Sequence, residues 1–222
     1  MGRIIVIDGT SNAGKTTLCE NLEKNVKNIV IIPGASMFAK MNSEKYPQTP
    51  PIPKNKEEEI KNQSFFYNLE LDRLIQANKL AQAGKDVIMD RGILEILSVA
   101  YSFEKINNWD GIFKNAVKLY GDFLETVNKK QISLPDKNIW LQANYEEILR
   151  RNESRKCERG RALSETEWIS KELIDLQIDF FSRICNKYDI QFIDTNFSGK
   201  KEVCDDAIEL LNLRKKEREE ER

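Results

Sequence analysis

The sequence contains no histidine. That absence removes Ser-His-Asp and Cys-His catalysis, and every His-ligated metal centre, in one step. Cysteine is sparse: Cys19, Cys157, Cys185 and Cys204 are scattered, with no CxxC pair and no metal-ligand spacing, so they read as reduced thiols of a cytoplasmic protein. Neither sign of charge dominates. Lys+Arg total 35 against 36 Asp+Glu, for a net charge of −1, so the whole-chain field draws in neither nucleic acid nor an anionic membrane. No apolar run approaches the roughly 20 residues needed to span a bilayer. The opening "IIVID" is also too short for the apolar region of a secretory signal. A soluble cytoplasmic chain is expected, and 222 residues fit one large domain.

Short apolar runs punctuate the chain. Ile4 to Ile7, Ile29 to Ile32, Val87 to Met89, Asn138 to Leu141 and Gln191 to Ile193 read as strands buried on both faces. Segments with helical spacing alternate with them: Thr16 to Lys24, Glu57 to Ala83 closed by Gly84, Ile93 to Asn107, Phe113 to Lys130, Tyr145 to Arg155, Glu165 to Lys187, and Lys201 onward. The β-α-β-α alternation predicts an α/β fold, a three-layer doubly wound sandwich on a parallel five-stranded sheet. Lys40 to Lys54, rich in proline and polar residues, is expected as a surface loop. Residues 1–211 are expected to form one domain, with 212–222 a charged tail reading as a solvated helix.

Gly9-Thr10-Ser11-Asn12-Ala13-Gly14-Lys15-Thr16, followed by Thr17, fits GxxxxGK[ST] in full. A Gly-rich turn that merely caps a helix is the plainer account. The context outweighs it, because an apolar strand precedes the match and a helix-forming "TTLCENLEK" follows. Glycines let several N–H groups converge on one anion, and the helix N-terminus adds its positive dipole end. In that arrangement Lys15 bridges nucleotide phosphates and the Thr16 hydroxyl serves Mg²⁺.

Two further stretches narrow the class. The chain carries no NKxD-like motif of a GTPase and has no room for a helicase's second motor domain. After the third predicted strand comes "VIMDRG", which places Asp90 and Arg91 at the sheet edge where ligands bind. Asp90 there suits Mg²⁺ and Arg91 suits a phosphate. Arg150, Arg151, Arg155, Arg159 and Arg161 fall within "LRRNESRKCERGR", and Arg151, Arg155 and Arg159 recur at helical spacing. An exposed helix laced with ion pairs explains such a run. An Arg-bearing lid over about 150–164, closing on a transferred phosphoryl group, explains the preference for arginine over lysine better.

At this point the sequence resembles the thymidylate kinase and deoxynucleoside kinase branch of the nucleotide-kinase-like P-loop proteins. The resemblance runs from about Gly2 to Leu211 through "IDGTSNAGKTT", Pro33-Gly34, "NQSFFYNLELDR", "GKDVIMDRG", "PDKNIWLQANYEEILRR" and "YDIQFIDT". It implies ATP and Mg²⁺ as cofactors, with Lys15 and Thr16 acting on the ATP phosphates and the metal. It implies that Arg91 belongs to the family's Asp-Arg pair, and that Arg151 and Arg155 belong to its lid. Gln63, ten residues before Arg73, is similar to the glutamine that reads the base in deoxynucleoside kinases, with Phe65 or Phe66 as a stacking ring. A Phe-Phe-Tyr run on a helix is also ordinary core. The resemblance further implies a homodimer through the helices between Ile93 and Val127.

The chain departs from both patterns. Deoxynucleoside kinases carry a glutamate after the second strand, where this sequence has Ile32 before Pro33. Thymidylate kinases place an acid in the loop and an arginine beside the Pro-Gly turn, whereas here Ser11 stands in the loop and the nearest following cation is Lys40. A monophosphate is already ionised and needs no base, so the missing glutamate favours a deoxynucleoside monophosphate acceptor, with dTMP as the family default. A kinase for a deoxynucleoside or other small hydroxyl, with Asp8 or Asp90 as base, is the alternative. A nucleotide-binding switch or regulatory ATPase is the alternative of another class.

Overall fold

Alternation of apolar side chains along the first strand sorts them onto two faces of a sheet. In the computed structural model, Ile5 and Ile7 pack with Leu18, Leu22, Ile148 and Ile208 on one face. Ile4 and Val6 pack with Leu69, Leu74, Ala77 and Phe123 on the other. All four strand residues are at most 2 % exposed. Each such burial contributes roughly 1.5–3 kcal/mol, which fixes register, since a slip of one residue would exchange the faces. The structure describes residues 1–159 and 169–216, with the side chains of 155–159 outside the description.

The elements run β1 (Ile4–Gly9), α1 (Lys15–Asn25), β2 (Ile29–Ile32), α2 (Ala35–Met41), α3 (Lys56–Gln82), β3 (Asp86–Asp90), α4 (Ile93–Asn107), α5 (Ile112–Lys129), β4 (Lys137–Gln142), α6 (Tyr145–Arg159), α7 (Lys171–Ile184), β5 (Ile190–Asp194) and α8 (Lys200–Leu210). The sheet order is β2-β3-β1-β4-β5, with every pairing parallel. The α/β sandwich and its five parallel strands are those the sequence led us to expect. Chain direction across the sheet reverses at β1, which opens a crevice at the carboxyl ends of β1, β3 and β4. Among the described residues no helix is long and apolar enough to cross a membrane.

Several boundaries differ from expectation. α2 was not expected; it is a seven-residue helix begun at Gly34, too short to show a helical period. α7 begins at Lys171, where the Ser170 hydroxyl accepts from the Leu173 N–H at 3.3 Å, and not at Glu165, which lies outside the described residues. The last helix stops at Leu210. Beyond it Lys215 pairs antiparallel with Val26, and the Lys216 N–H donates to the Asn25 carbonyl at 2.7 Å, so the start of the charged tail is extended and tied to the end of α1. Residues 217–222 lie outside the description. Gly84 does close α3, with φ +84° and its N–H on the Ala81 carbonyl.

Candidate active site

The loop between β1 and α1 is built on left-handed backbone. Gly9 has φ +153°, and a Cβ there would lie 2.7 Å from the Leu141 carbonyl oxygen, so only glycine fits. Gly14, at φ +103°, caps α1. The first intrahelical bond runs from the Leu18 N–H to the Gly14 carbonyl, which leaves the N–H groups of Lys15, Thr16 and Thr17 without an intrahelical partner. Lys15 is only 5 % exposed, and its ammonium donates to the carbonyls of Gly9 and Thr10 at 2.7 Å each. Burial first, and then Arg91, hold its pKa well below the ordinary lysine value. A buried cation and a row of unshared N–H donors at a helix N-terminus form a strong anion site.

The turn after β3 faces this loop. Asp90 Oδ2 accepts from the Thr16 hydroxyl at 2.9 Å, while Asp90 Oδ1 is buried with no hydrogen-bond partner among the described residues. Arg91 takes the left-handed conformation, φ +71°, with its N–H on the Ile7 carbonyl at 2.9 Å. A non-glycine residue there carries strain, as functional turns often do. Its guanidinium pairs with Glu95, one helical turn onward in α4. Burial lowers the pKa of Arg91. Asp8 lies behind the turn, 2 % exposed, with Oδ1 accepting from the Gly92 N–H at 3.0 Å. Burial raises the Asp8 pKa from 3.8 to about 6, against the pull of that N–H.

Arg73 secures the turn from α3. It is 1 % exposed, donates to the Asp90 carbonyl at 2.8 Å, and pairs with the buried Glu70. Removing Arg73 alone leaves Glu70 buried and uncompensated. Arg73→Leu is therefore expected to cost about 3–5 kcal/mol of unfolding free energy, and pairing it with Glu70→Leu to recover much of the loss. Urea titration of the two variants measures both, and a single-variant loss below about 1 kcal/mol would contradict this account.

Asp8 makes a different prediction. Its folded pKa, about 6, lies above the ordinary 3.8, so the native state holds the extra proton between these values. The stability it contributes is present at low pH and is lost as pH rises through about 6. Asp8→Asn keeps an oxygen for the Gly92 N–H and carries no charge. Its Tm relative to wild type is expected to climb between about pH 4 and 7 and then level off. A difference in Tm that does not vary with pH would refute it.

Lys15, Thr16, Arg73, Asp90, Arg91 and Glu95 line one cleft of about 1200 Å³. Gly14 to Thr17, Arg151, Thr195 and Lys200 line it, as do Ile52, Glu59, Gln63, Phe66, Val99 and Phe103, with Asp90 and Arg91. Ser11, Asn12, Ala13 and Arg73, all expected from sequence, line it too, whereas Asp8, Gly9 and Thr10 do not. The Thr10 hydroxyl is buried without a partner among the described residues. Arg151 lies beside the loop. It donates to the Ala13 carbonyl at 3.0 Å and to the Thr195 carbonyl, and shares Glu147 with Arg150. Arg155 continues α6, but its side chain lies outside the description, as do residues 160–164 of the expected lid, Arg161 among them.

Gln63 is 1 % exposed and fully engaged. Its amide donates to Glu59 at 3.1 Å and to the Ile112 carbonyl at 3.2 Å, and accepts from Asn115 at 2.8 Å. Phe66 lines the cleft, while Phe65 packs edge-on between Tyr46 and Phe66. Sequence reasoning missed Glu59, Glu95, Thr195 and the cleft-wall role of Thr49 to Pro53. Only Glu95 had a signal, its i,i+4 spacing from Arg91.

The family model described as Deoxynucleoside kinase matches residues 5–197. No curated protein matches the sequence. Among solved structures, deoxyadenosine kinase from M. mycoides with bound dATP superposes with a TM-score of 0.62 at 21 % identity, covering 94 % of this chain and 99 % of that one. Thymidylate kinase from Candida albicans gives a TM-score of 0.65 at 17 % identity, covering 95 % of this chain and 91 % of that one.

Proposed function

The chain belongs to the deoxynucleoside kinase family and is a P-loop kinase, and from that premise we propose that it transfers the γ-phosphoryl group of ATP to the 5′-hydroxyl of a deoxynucleoside. One observation carries the choice of acceptor: the Arg91 guanidinium is already paired with the Glu95 carboxylate on the cleft wall. A monophosphate brings close to two negative charges and needs an uncommitted cation at the acceptor end. Arg73 is matched by Glu70, while Arg150 and Arg151 share the single Glu147 carboxylate beside the phosphate loop, so the surplus positive charge lies with the donor phosphates and not with Arg91. A hydroxyl needs a base instead, and Glu95 beside Arg91 supplies one.

The residues fit Mg²⁺. Asp90 offers a buried, unpartnered Oδ1, and the Thr16 hydroxyl lies against Oδ2, a sparse oxygen set of the kind magnesium shares with substrate phosphates. Thr16 and Asp90 would hold the ion, which when bound neutralises phosphate oxygens. Lys15 and the N–H groups of Lys15 to Thr17 bind the donor phosphates, and Arg151 sits next to them. Glu95 takes the 5′-hydroxyl proton as the oxygen bonds to the γ-phosphorus and ADP departs. Arg91 orients the carboxylate.

A deoxynucleoside monophosphate, dTMP first, remains the second reading, favoured by Ile32 standing where a carboxylate would follow β2. The deciding experiment measures ADP formation by the purified protein with Mg·ATP against separate deoxynucleosides and monophosphates, with a no-acceptor blank and products identified by mass. Turnover of a deoxynucleoside far above the blank is expected. Turnover of monophosphates alone would transfer the assignment to the second reading.

A further inference from the structure

We propose that Glu59 reads the base of the acceptor, selecting one that presents an exocyclic amine beside an unprotonated ring nitrogen, adenine or cytosine; this rests on the deoxynucleoside reading above. The candidates on that part of the wall are Glu59, Asn62 and Gln63. Gln63 has both its amide oxygen and its nitrogen committed within the protein, and the Asn62 amide donates to the Pro51 carbonyl at 2.9 Å. Glu59 is 4 % exposed, and its one hydrogen bond among the described residues comes from Gln63, to Oε1. Its second oxygen and the Asn62 amide oxygen are thus the acceptors left open among the described residues, and of the two only the carboxyl can exchange an acceptor for a donor by taking a proton. Phe66, Ile96, Val99 and Phe103 line the same cleft, apolar walls suited to a flat ring.

Burying a carboxyl with no cation is costly, and packing alone gives no reason for one. The nearby charged pairs on the wall, Glu70–Arg73 and Arg91–Glu95, are each internally matched. Burial pushes the Glu59 acid up to about 7, with the Gln63 hydrogen bond opposing. The neutral acid offers one O–H donor and a carbonyl oxygen with two lone pairs. Gln63 occupies one lone pair. An exocyclic amine takes the other, while the O–H donates to the adjacent ring nitrogen. The ionised acid offers acceptors only, which suits the two adjacent donors of guanine instead.

The preference is therefore expected to turn over with pH, through KM and not kcat. Deoxyadenosine, deoxycytidine, deoxyguanosine and thymidine, equimolar in one tube with Mg·ATP, would be phosphorylated at about pH 6 and about pH 8.5 and the products weighed by mass spectrometry. With a pKa of about 7, the neutral fraction falls roughly 30-fold across that interval. The product ratio of deoxyadenosine and deoxycytidine to deoxyguanosine should fall at least about tenfold in the wild type. Glu59→Gln, whose amide offers the donor and acceptor of the neutral acid, should hold the ratio constant. A wild-type ratio indifferent to pH, or a Glu59→Gln ratio that shifts as wild type does, overturns the inference and leaves the acceptor reading standing. Absence of any nucleoside product overturns the acceptor reading, and this inference with it.

Discussion

Lys15→Ala is expected to fold normally, to unfold at a temperature equal to or above wild type, and to lose about 10³-fold in kcat. The two effects have one cause. Lys15 holds its ammonium in a site that is 5 % exposed, against two carbonyl oxygens and near Arg91, so its charge is poorly solvated and its pKa is depressed. Such a group is a burden to the empty fold and is relieved by an anion. In phosphoryl transfer the charge spreads over the equatorial oxygens of the moving group, and a fixed cation beside them acts where water is excluded. Alanine removes the burden and the stabilisation together. Thermal unfolding with and without Mg·ATP gives an independent readout, because a ligand that binds the folded state raises Tm by an amount that grows with the logarithm of its concentration over Kd. Wild type should gain markedly from ATP and the variant little. A variant that turns over at the wild-type rate would take Lys15 out of the mechanism.

Much of this site was legible because its chemistry forces particular residues into short contiguous patterns. Gly9 and Gly14 are dictated by backbone geometry, and Lys15 and Thr16 follow within the same loop. The buried strands announce themselves by runs of Ile and Val that a parallel sheet covers on both faces. Asp90 and Arg91 were found because a strand's end is a fixed address in this architecture. What stayed hidden depends on partners distant in sequence. Glu59 sits in the run Glu57-Glu58-Glu59, which reads as an acidic first turn, and only the fold reveals that the third is buried while Asn55 caps the Glu58 N–H at 2.9 Å. Thr49 to Pro53 read correctly as loop, but nothing local says that it closes over α3 to wall the cleft. Gln63 lines the cleft, where its spacing led us to expect it, but its amide bonds run inward to Ile112 and Asn115, which spacing alone does not show. The start of the tail differs for the same reason: a charged run has helical propensity, and at Lys215 the pairing with Val26 overrides it.

Glu95→Gln carries the second large effect, and its sign separates the two acceptors. The substitution keeps the shape of the side chain, but it removes the carboxylate that can accept a proton and leaves the Arg91 guanidinium without its counter-charge. If the acceptor is a hydroxyl, the base is gone, and kcat for deoxynucleosides is expected to fall by about 10²–10⁴-fold with little change in KM, since glutamine still reaches Arg91. If the acceptor were a monophosphate, Glu95 would instead compete with the incoming phosphate for Arg91. Its neutralisation would then lower KM for monophosphates and leave kcat near its original value. Steady-state kinetics of wild type and variant, run on a deoxynucleoside and on its monophosphate across pH, distinguish these directions in one set of measurements. A lowered KM for the monophosphate with kcat intact would refute base catalysis by Glu95. Neither direction depends on the fold tolerating a drastic change, because the Arg91–Glu95 pair lies on the cleft wall, with Glu95 19 % and Arg91 32 % exposed, and not in the packed core.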